Sequence, residues 1–138
     1  MILVFLLNKE LTFPYVFKGI FVQWVYLLYS DCGTFFKIGI ASNPRIRFTE
    51  LRRHISYSPD HSFIFPCLYA GEASYVEDFI KREFSHFRYT GNLKFDGYSE
   101  CFDMTCWYDV EDLLINYFLG RKFSKIGDLK KLPKKMWV

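Results

Sequence analysis

Glycine and proline are scarce, eight and five of 138 residues, and neither clusters. Collagen-like repeats, low-complexity linkers and Pro-rich disorder are thereby excluded. Also missing is an uncharged apolar run near the roughly 18 residues that a bilayer-spanning helix needs, so no membrane span is expected. The apolar stretch from Met1 to Leu7 has no basic residues ahead of it, meets Asn8, Lys9 and Glu10 at once, and lacks a small-residue cleavage site. It is expected as a buried strand rather than a secretory leader. The few cysteines (Cys32, Cys67, Cys101, Cys106) match no zinc-ligand spacing, because the closest pair is C-x4-C without a second pair or a nearby histidine. Free thiols in a reducing, intracellular setting are the expectation. His54, His61 and His86 show no pairing with a serine or cysteine of the kind a nucleophilic triad needs.

What is present is aromatic: 16 Phe and 10 Tyr within a chain that is 51% hydrophobic, with a mean hydropathy of +0.01. Such a chain fills one core and makes one domain. The net charge is only +3, but it is unevenly spread. From Arg121 to Val138 seven basic residues, among them Lys130, Lys131, Lys134 and Lys135, face the single acid Asp128, a local charge of +6. A basic segment on a near-neutral body is either a solvated terminus or an electrostatic footprint for nucleic acid or an anionic surface.

Two strands, Ile20 to Tyr29 and Phe35 to Ala41, flank the turn composition Ser30-Asp31-Cys32-Gly33 and predict an antiparallel hairpin. Ser42-Asn43-Pro44 offers an N-cap with proline at the first helical position, so a helix is expected from there to about His54. Phe48, Leu51 and Ile55 share its core face. Arg45, Arg52 and Arg53 fall on or near the opposite side, and Arg47 borders the buried stripe, where an arginine looks into a cleft beside the sheet. Phe63 to Ala70 predicts a third strand, with Pro66 demanding an edge or a bulge. Glu72 to Phe87 predicts a helix with Ala73, Val76, Ile80, Phe84 and Phe87 on the apolar face. Glu77 projects at the edge of that face, while Glu83 falls inside it, where a carboxylate is costly without a partner. Ser99 to Met104 is a short strand or extended piece, and Asp109 to Leu119 is a helix ended by Gly120. The expected fold is α+β: a small, mainly antiparallel three-stranded sheet flanked by helices. Residues 23–120 form the domain, 1–22 an apolar extension and 121–138 a basic tail. No phosphate-binding glycine loop is present, because Gly33 and Gly39 are isolated.

Tyr26 on the first strand, Lys37 eleven residues later on the second, Arg47 ten residues further on a helix and Glu77 on the next helix are in an order that carries a resemblance. The chain resembles the GIY-YIG nuclease superfamily over roughly residues 24–103, and most of all its viral and phage-type branch. Val25-Tyr26-Leu27 stands where the first signature tripeptide stands, and Lys37-Ile38-Gly39 where the second does. Arg47 matches the helix arginine, Glu77 with Ile80, Lys81 and Phe84 is similar to the metal-binding helix, and Glu100-Cys101-Phe102 is similar to the Glu-aromatic-Phe ending of that branch. The first tripeptide keeps only its tyrosine, and the second has lysine in place of the first tyrosine.

The resemblance implies a metal-dependent endonuclease that hydrolyses DNA phosphodiester bonds, with RNA left open as a substrate. Glu77 would hold Mg²⁺ or Mn²⁺. Arg47 would stabilise the phosphate through its planar fork. Tyr26 would activate water with the help of Lys37, whose ammonium favours a phenolate, although Lys37 is itself a second candidate for the base or a phosphate clamp. Arg45, Arg52, Lys81 and the tail lysines Lys130, Lys131, Lys134 and Lys135 would bind nucleic acid. With one site per chain, cutting both strands calls for a homodimer or two successive nicks. Two other classes stand beside this reading. One is a nucleic-acid-binding module of the same fold without turnover, and the other is a protein-interaction domain whose aromatics face a partner.

Overall fold

A computed structural model describes residues 23–91, 100–121 and 123–131. The expected extension 1–22 and the side chains of Lys130, Lys131, Lys134 and Lys135 lie outside the described residues. Five strands form one antiparallel sheet: β1 (Trp24–Tyr29), β2 (Phe35–Ala41), β3 (Phe63–Pro66), β4 (Cys101–Asp103) and β5 (Ser124–Lys125), in the order β4-β2-β1-β3-β5. Three α-helices accompany them: α1 (Pro44–Leu51), α2 (Glu72–Glu83) and α3 (Trp107–Tyr117). The α+β class is as expected, but the sheet has five strands rather than three. Both added strands are edge pieces: β4, of three residues, falls within the 99–104 piece expected as a short strand or extended, and β5, of two, is too short for alternation of apolar and polar side chains to register. One of them, β5, lies within the stretch expected as a basic tail.

Apolar residues cover both faces of the sheet. Trp24, Tyr26, Leu28, Phe35 and Ile64 pack on one side with Phe48, Leu51 and Ile55, which α1 and the turn after it supply. Val25, Leu27, Phe36, Ile38 and Phe65 pack on the other with Ala73, Val76 and Ile80 of α2 and with Trp107, Val110 and Leu114 of α3. Burial on both faces explains why β1 and β2 appear in the sequence as nearly unbroken apolar runs. Against that background the buried Lys37 in β2 stands out.

The start of α1 follows the sequence signal: Asn43 Oδ1 accepts the Ile46 amide at 3.3 Å, and Pro44 opens the helix. The helix stops at Leu51, three residues short of the expected end, where the chain tightens into a turn with the Arg53 amide donating to the Glu50 carbonyl. Helix α2 likewise ends at Glu83, and a single 3₁₀ turn covers Ser85–Phe87. Phe87 is therefore exposed rather than part of the apolar face, and Glu83 is solvated instead of being a buried carboxylate. Pro66 is the last residue of β3, beyond the reach of β5, which pairs only with Phe63 and Ile64. That position amounts locally to the edge a proline needs. Helix α3 begins two residues earlier than expected, led by a 3₁₀ turn (Met104–Cys106) whose start Asp103 caps by accepting the Thr105 amide at 2.9 Å.

Candidate active site

The site grows from the β1–β2 register, which sets Tyr26 opposite Gly39 and Leu28 opposite Lys37. The Tyr26 ring lies over Gly39 so closely that a Cβ there would overlap its Oη and Cζ. A cross-strand aromatic covering a glycine in this way holds the phenol against the sheet. From above, Phe48 of α1 meets the ring edge-on, with centroids 5.6 Å apart and planes at 79°. Tyr26 is thereby almost fully buried at 2% exposure.

Burial is the largest influence on the Tyr26 proton and pushes the hydroxyl far above the ordinary tyrosine value. Arg47 pulls it down, whereas Glu100, Glu77 and Cys101 push it further up. The same phenol thus feels the helix arginine and both carboxylates. Lys37, expected to favour the phenolate, instead spends its ammonium on Glu100, with Nζ 2.6 Å from Oε2. It keeps only a longer contact with the Tyr26 ring, 5.8 Å from its centroid. Pairing of Lys37 with Cys101 across β2 and β4 places Glu100, the residue just before that strand, beside the lysine.

Glu77 comes from α2. Its carboxylate is mostly buried, and burial together with the nearby Glu100 charge raises its pKa, while Lys81 and Lys37 act in the opposite direction. Lys81, one turn along the same helix, has Nζ 3.7 Å from Glu77 Oε1 and 3.9 Å from Glu100 Oε1. The result is a continuous chain of charges, Lys37–Glu100–Lys81–Glu77, next to the Tyr26 hydroxyl. Arg47 stands at the rim, solvent-exposed, 3.8 Å from Glu50 Oε2.

Of the residues singled out in the sequence, Tyr26, Lys37, Glu77 and Lys81 meet here, and Arg47 acts on the cluster from its edge. Arg45 lies on the exposed face of α1. Arg52 turns back onto Tyr57, with Nε 3.3 Å from the hydroxyl and the guanidinium 5.8 Å from the ring centroid. Arg121, counted with the basic tail, is instead paired inside the protein with Glu72. Glu100 is the member of the cluster that sequence reasoning underused. Its motif was visible, but its reach to Lys37, 63 positions away, depends on the β2–β4 pairing.

Glu77 and Glu100 present one oxygen each to the same ammonium. That donor set suits a hard divalent cation, which takes one or two carboxylates and fills its remaining positions with water and phosphate oxygens. Among the described residues no group of three or more His, Cys, Asp or Glu side chains is arranged to hold a metal ion. The family model of the T5orf172 domain matches residues 23–116, a span that holds the hairpin, all three helices nearly complete and every residue of the charge chain. No curated protein and no solved structure matches the chain significantly.

Proposed function

The chain belongs to the T5orf172 domain family, a phage-associated family of the GIY-YIG-like nuclease superfamily, and we propose that it is a metal-dependent endonuclease that hydrolyses DNA backbone phosphodiesters. The observation that carries the reading is the convergence of Tyr26, Lys37, Glu100, Lys81 and Glu77 in one cluster with Arg47 at its rim. In this reading Val25-Tyr26-Leu27 and Lys37-Ile38-Gly39 serve as the two signature tripeptides. Magnesium or manganese, bound through Glu77, would supply charge neutralisation at the scissile phosphate and at the leaving oxygen.

The chain's own residues do the rest. Arg47, free to swing from its weak contact with Glu50, clamps the nonbridging phosphate oxygens. Tyr26 stays a neutral phenol in the resting protein. Its hydroxyl would take a proton from the attacking water only as it hands its own to a nonbridging phosphate oxygen, so the phenol is neutral before and after the transfer. Lys37 orders Glu100 and holds positive charge under the tyrosine. Arg45 on the exposed face of α1 and Arg53 in the turn after it extend the cationic surface along which the DNA backbone would lie. Among the described residues no helix is long and apolar enough to cross a membrane.

The test is conversion of supercoiled plasmid to nicked or linear forms with Mg²⁺ or Mn²⁺, beside chelator, Glu77→Ala and Arg47→Ala. Metal-dependent nicking that falls about 100-fold or more in both variants is expected, the usual scale for loss of a charge-stabilising group. A second reading rests on the engagement of both carboxylates by Lys81 and the deep burial of Tyr26: a DNA-binding module without turnover. It requires a folded protein that retains DNA equally well in chelator and nicks none of the DNA or RNA substrates offered.

A further inference from the structure

Lys81 sits between two carboxylates without being tightly bonded to either. Its distances to Glu77 Oε1 and Glu100 Oε1, 3.7 and 3.9 Å, are well beyond the roughly 2.7–2.9 Å of a charge-assisted hydrogen bond. Lys37 differs on every count: it is 2.6 Å from Glu100 Oε2 and only 4% of its side chain is exposed, against 28% for Lys81. Glu100 therefore has one oxygen fixed by a buried lysine and the other turned toward a loosely held, partly solvated one. The oxygen facing Lys81 lies on the same side as the Glu77 oxygen facing Lys81. Two carboxylates and two ammonium groups also leave the cluster neutral, so a dication cannot enter without putting a third cation beside the lysines. The lysine able to leave is Lys81, because its ammonium ends a flexible four-carbon stem and reaches solvent.

We propose that Lys81 is a resident counter-ion occupying the position a divalent cation takes, and that Glu100 is the second carboxylate of that cation site beside Glu77. When the cation enters, Lys81 swings out to meet a backbone phosphate. The inference rests on the nuclease reading and deepens it by naming a second ligand and a displaced group. It makes metal and DNA mutually reinforcing, since DNA gives the released ammonium a new partner and so favours the metal-loaded arrangement, with reciprocal effect.

The experiment is a titration of the 138-residue chain with Mn²⁺ in the absence of DNA, following the electron paramagnetic resonance signal of the free ion. Near-ultraviolet circular dichroism of each variant checks its fold. Removing the competing ammonium in Lys81→Gln should tighten Mn²⁺ binding by roughly threefold or more. Glu100→Gln, whose amide oxygen still accepts from Lys37, should weaken it by about tenfold or more. Unchanged or weaker binding by Lys81→Gln overturns the proposal, and so does unchanged binding by a folded Glu100→Gln. Lys81 is partly exposed, so its variant remains informative even if Glu100→Gln fails to fold. If the parent chain nicks plasmid and binds Mn²⁺ through Glu77 while Lys81→Gln alters nothing, the nuclease reading stands and the counter-ion role falls. If the parent binds no Mn²⁺ and leaves plasmid supercoiled, both fall.

Discussion

Glu72 and Arg121 form an ion pair inside the protein, Oε1 to Nη1 at 2.9 Å, joining the first residue of α2 to the segment that follows α3. The Glu72 carboxylate is completely buried, and it also accepts from the Leu68 amide and the Tyr117 hydroxyl, each at 2.7 Å. Burial alone would raise its pKa, but these donors outweigh burial and hold it below the usual glutamate value. The pair closes the sheet face against which α2 and α3 pack, and so fixes the helix that presents Glu77.

Removing one partner leaves a buried, uncompensated charge, which typically costs about 3–5 kcal/mol. Arg121→Ala should therefore lower the unfolding free energy by an amount of that order, read as a lower urea midpoint at unchanged m. Glu72→Gln combined with Arg121→Met should recover much of the loss, because neither charge is then left alone. Equilibrium urea unfolding of the three proteins decides it. An Arg121→Ala midpoint equal to that of the parent would show that solvent already reaches the carboxylate.

How much of this was legible in the sequence depends on the range of each signal. The hairpin, the Asn43-Pro44 helix start and the core stripe Phe48, Leu51, Ile55 are local patterns, and the structure reproduces them. The order Tyr26, Lys37, Arg47, Glu77 was readable because each residue sits at a characteristic point of its own element. The pairing of Lys37 with Glu100 and of Glu72 with Arg121 was not, since each joins residues 63 and 49 positions apart and neither carries a periodic signature. Arg121 misled for the same reason: in a run of basic residues its charge counts toward a tail, and only the tertiary fold shows it turned inward.

Gly39 should tolerate no side chain. A Cβ there collides with the phenol of Tyr26, and the backbone of β2 is held at Gly39 by its pairing with β1, so the ring has to move. Gly39→Ala is expected to destabilise the fold by about 1–3 kcal/mol, the usual cost of overpacking, and to lower plasmid nicking by more than the stability loss explains. Pairing it with Tyr26→Phe separates the two effects. The added Tyr26→Phe should leave nicking no lower than in Gly39→Ala alone, because the displaced phenol has already stopped contributing. Independent, multiplicative losses would mean that Gly39→Ala acts by a route other than displacing the phenol.

Tyr26 should stay un-ionised through the alkaline range in which exposed tyrosines titrate. Its raised pKa means that the folded state binds the proton more tightly than the unfolded state, whose value is near 10.0. Stability is therefore unaffected by this group below that pH and declines as pH rises above it. Spectrophotometric titration near 295 nm should show Tyr26 ionising only as the protein unfolds, and Tyr26→Phe should remove one tyrosine from that late phase. Loss of a tyrosine from the early phase instead would mean that the hydroxyl is open to water and the burial argument fails.

The exposed arginines of α1 and the turn after it should account for part of the salt dependence of DNA binding. Arg45 in α1 and Arg53 in the turn after it are both exposed, and Arg47 of the same helix reaches the candidate active site. Each phosphate contact contributes about 0.9 to the slope of log K against log salt on duplex DNA. Arg45→Ala with Arg53→Ala should therefore make the slope shallower by about 1.8 while the metal requirement for nicking is unchanged. Fluorescence anisotropy with a labelled duplex over a range of salt concentrations measures it. A slope unaltered by the arginine pair but reduced by alanines at Lys130, Lys131, Lys134 and Lys135 would move the main DNA contact from α1 to the end of the chain.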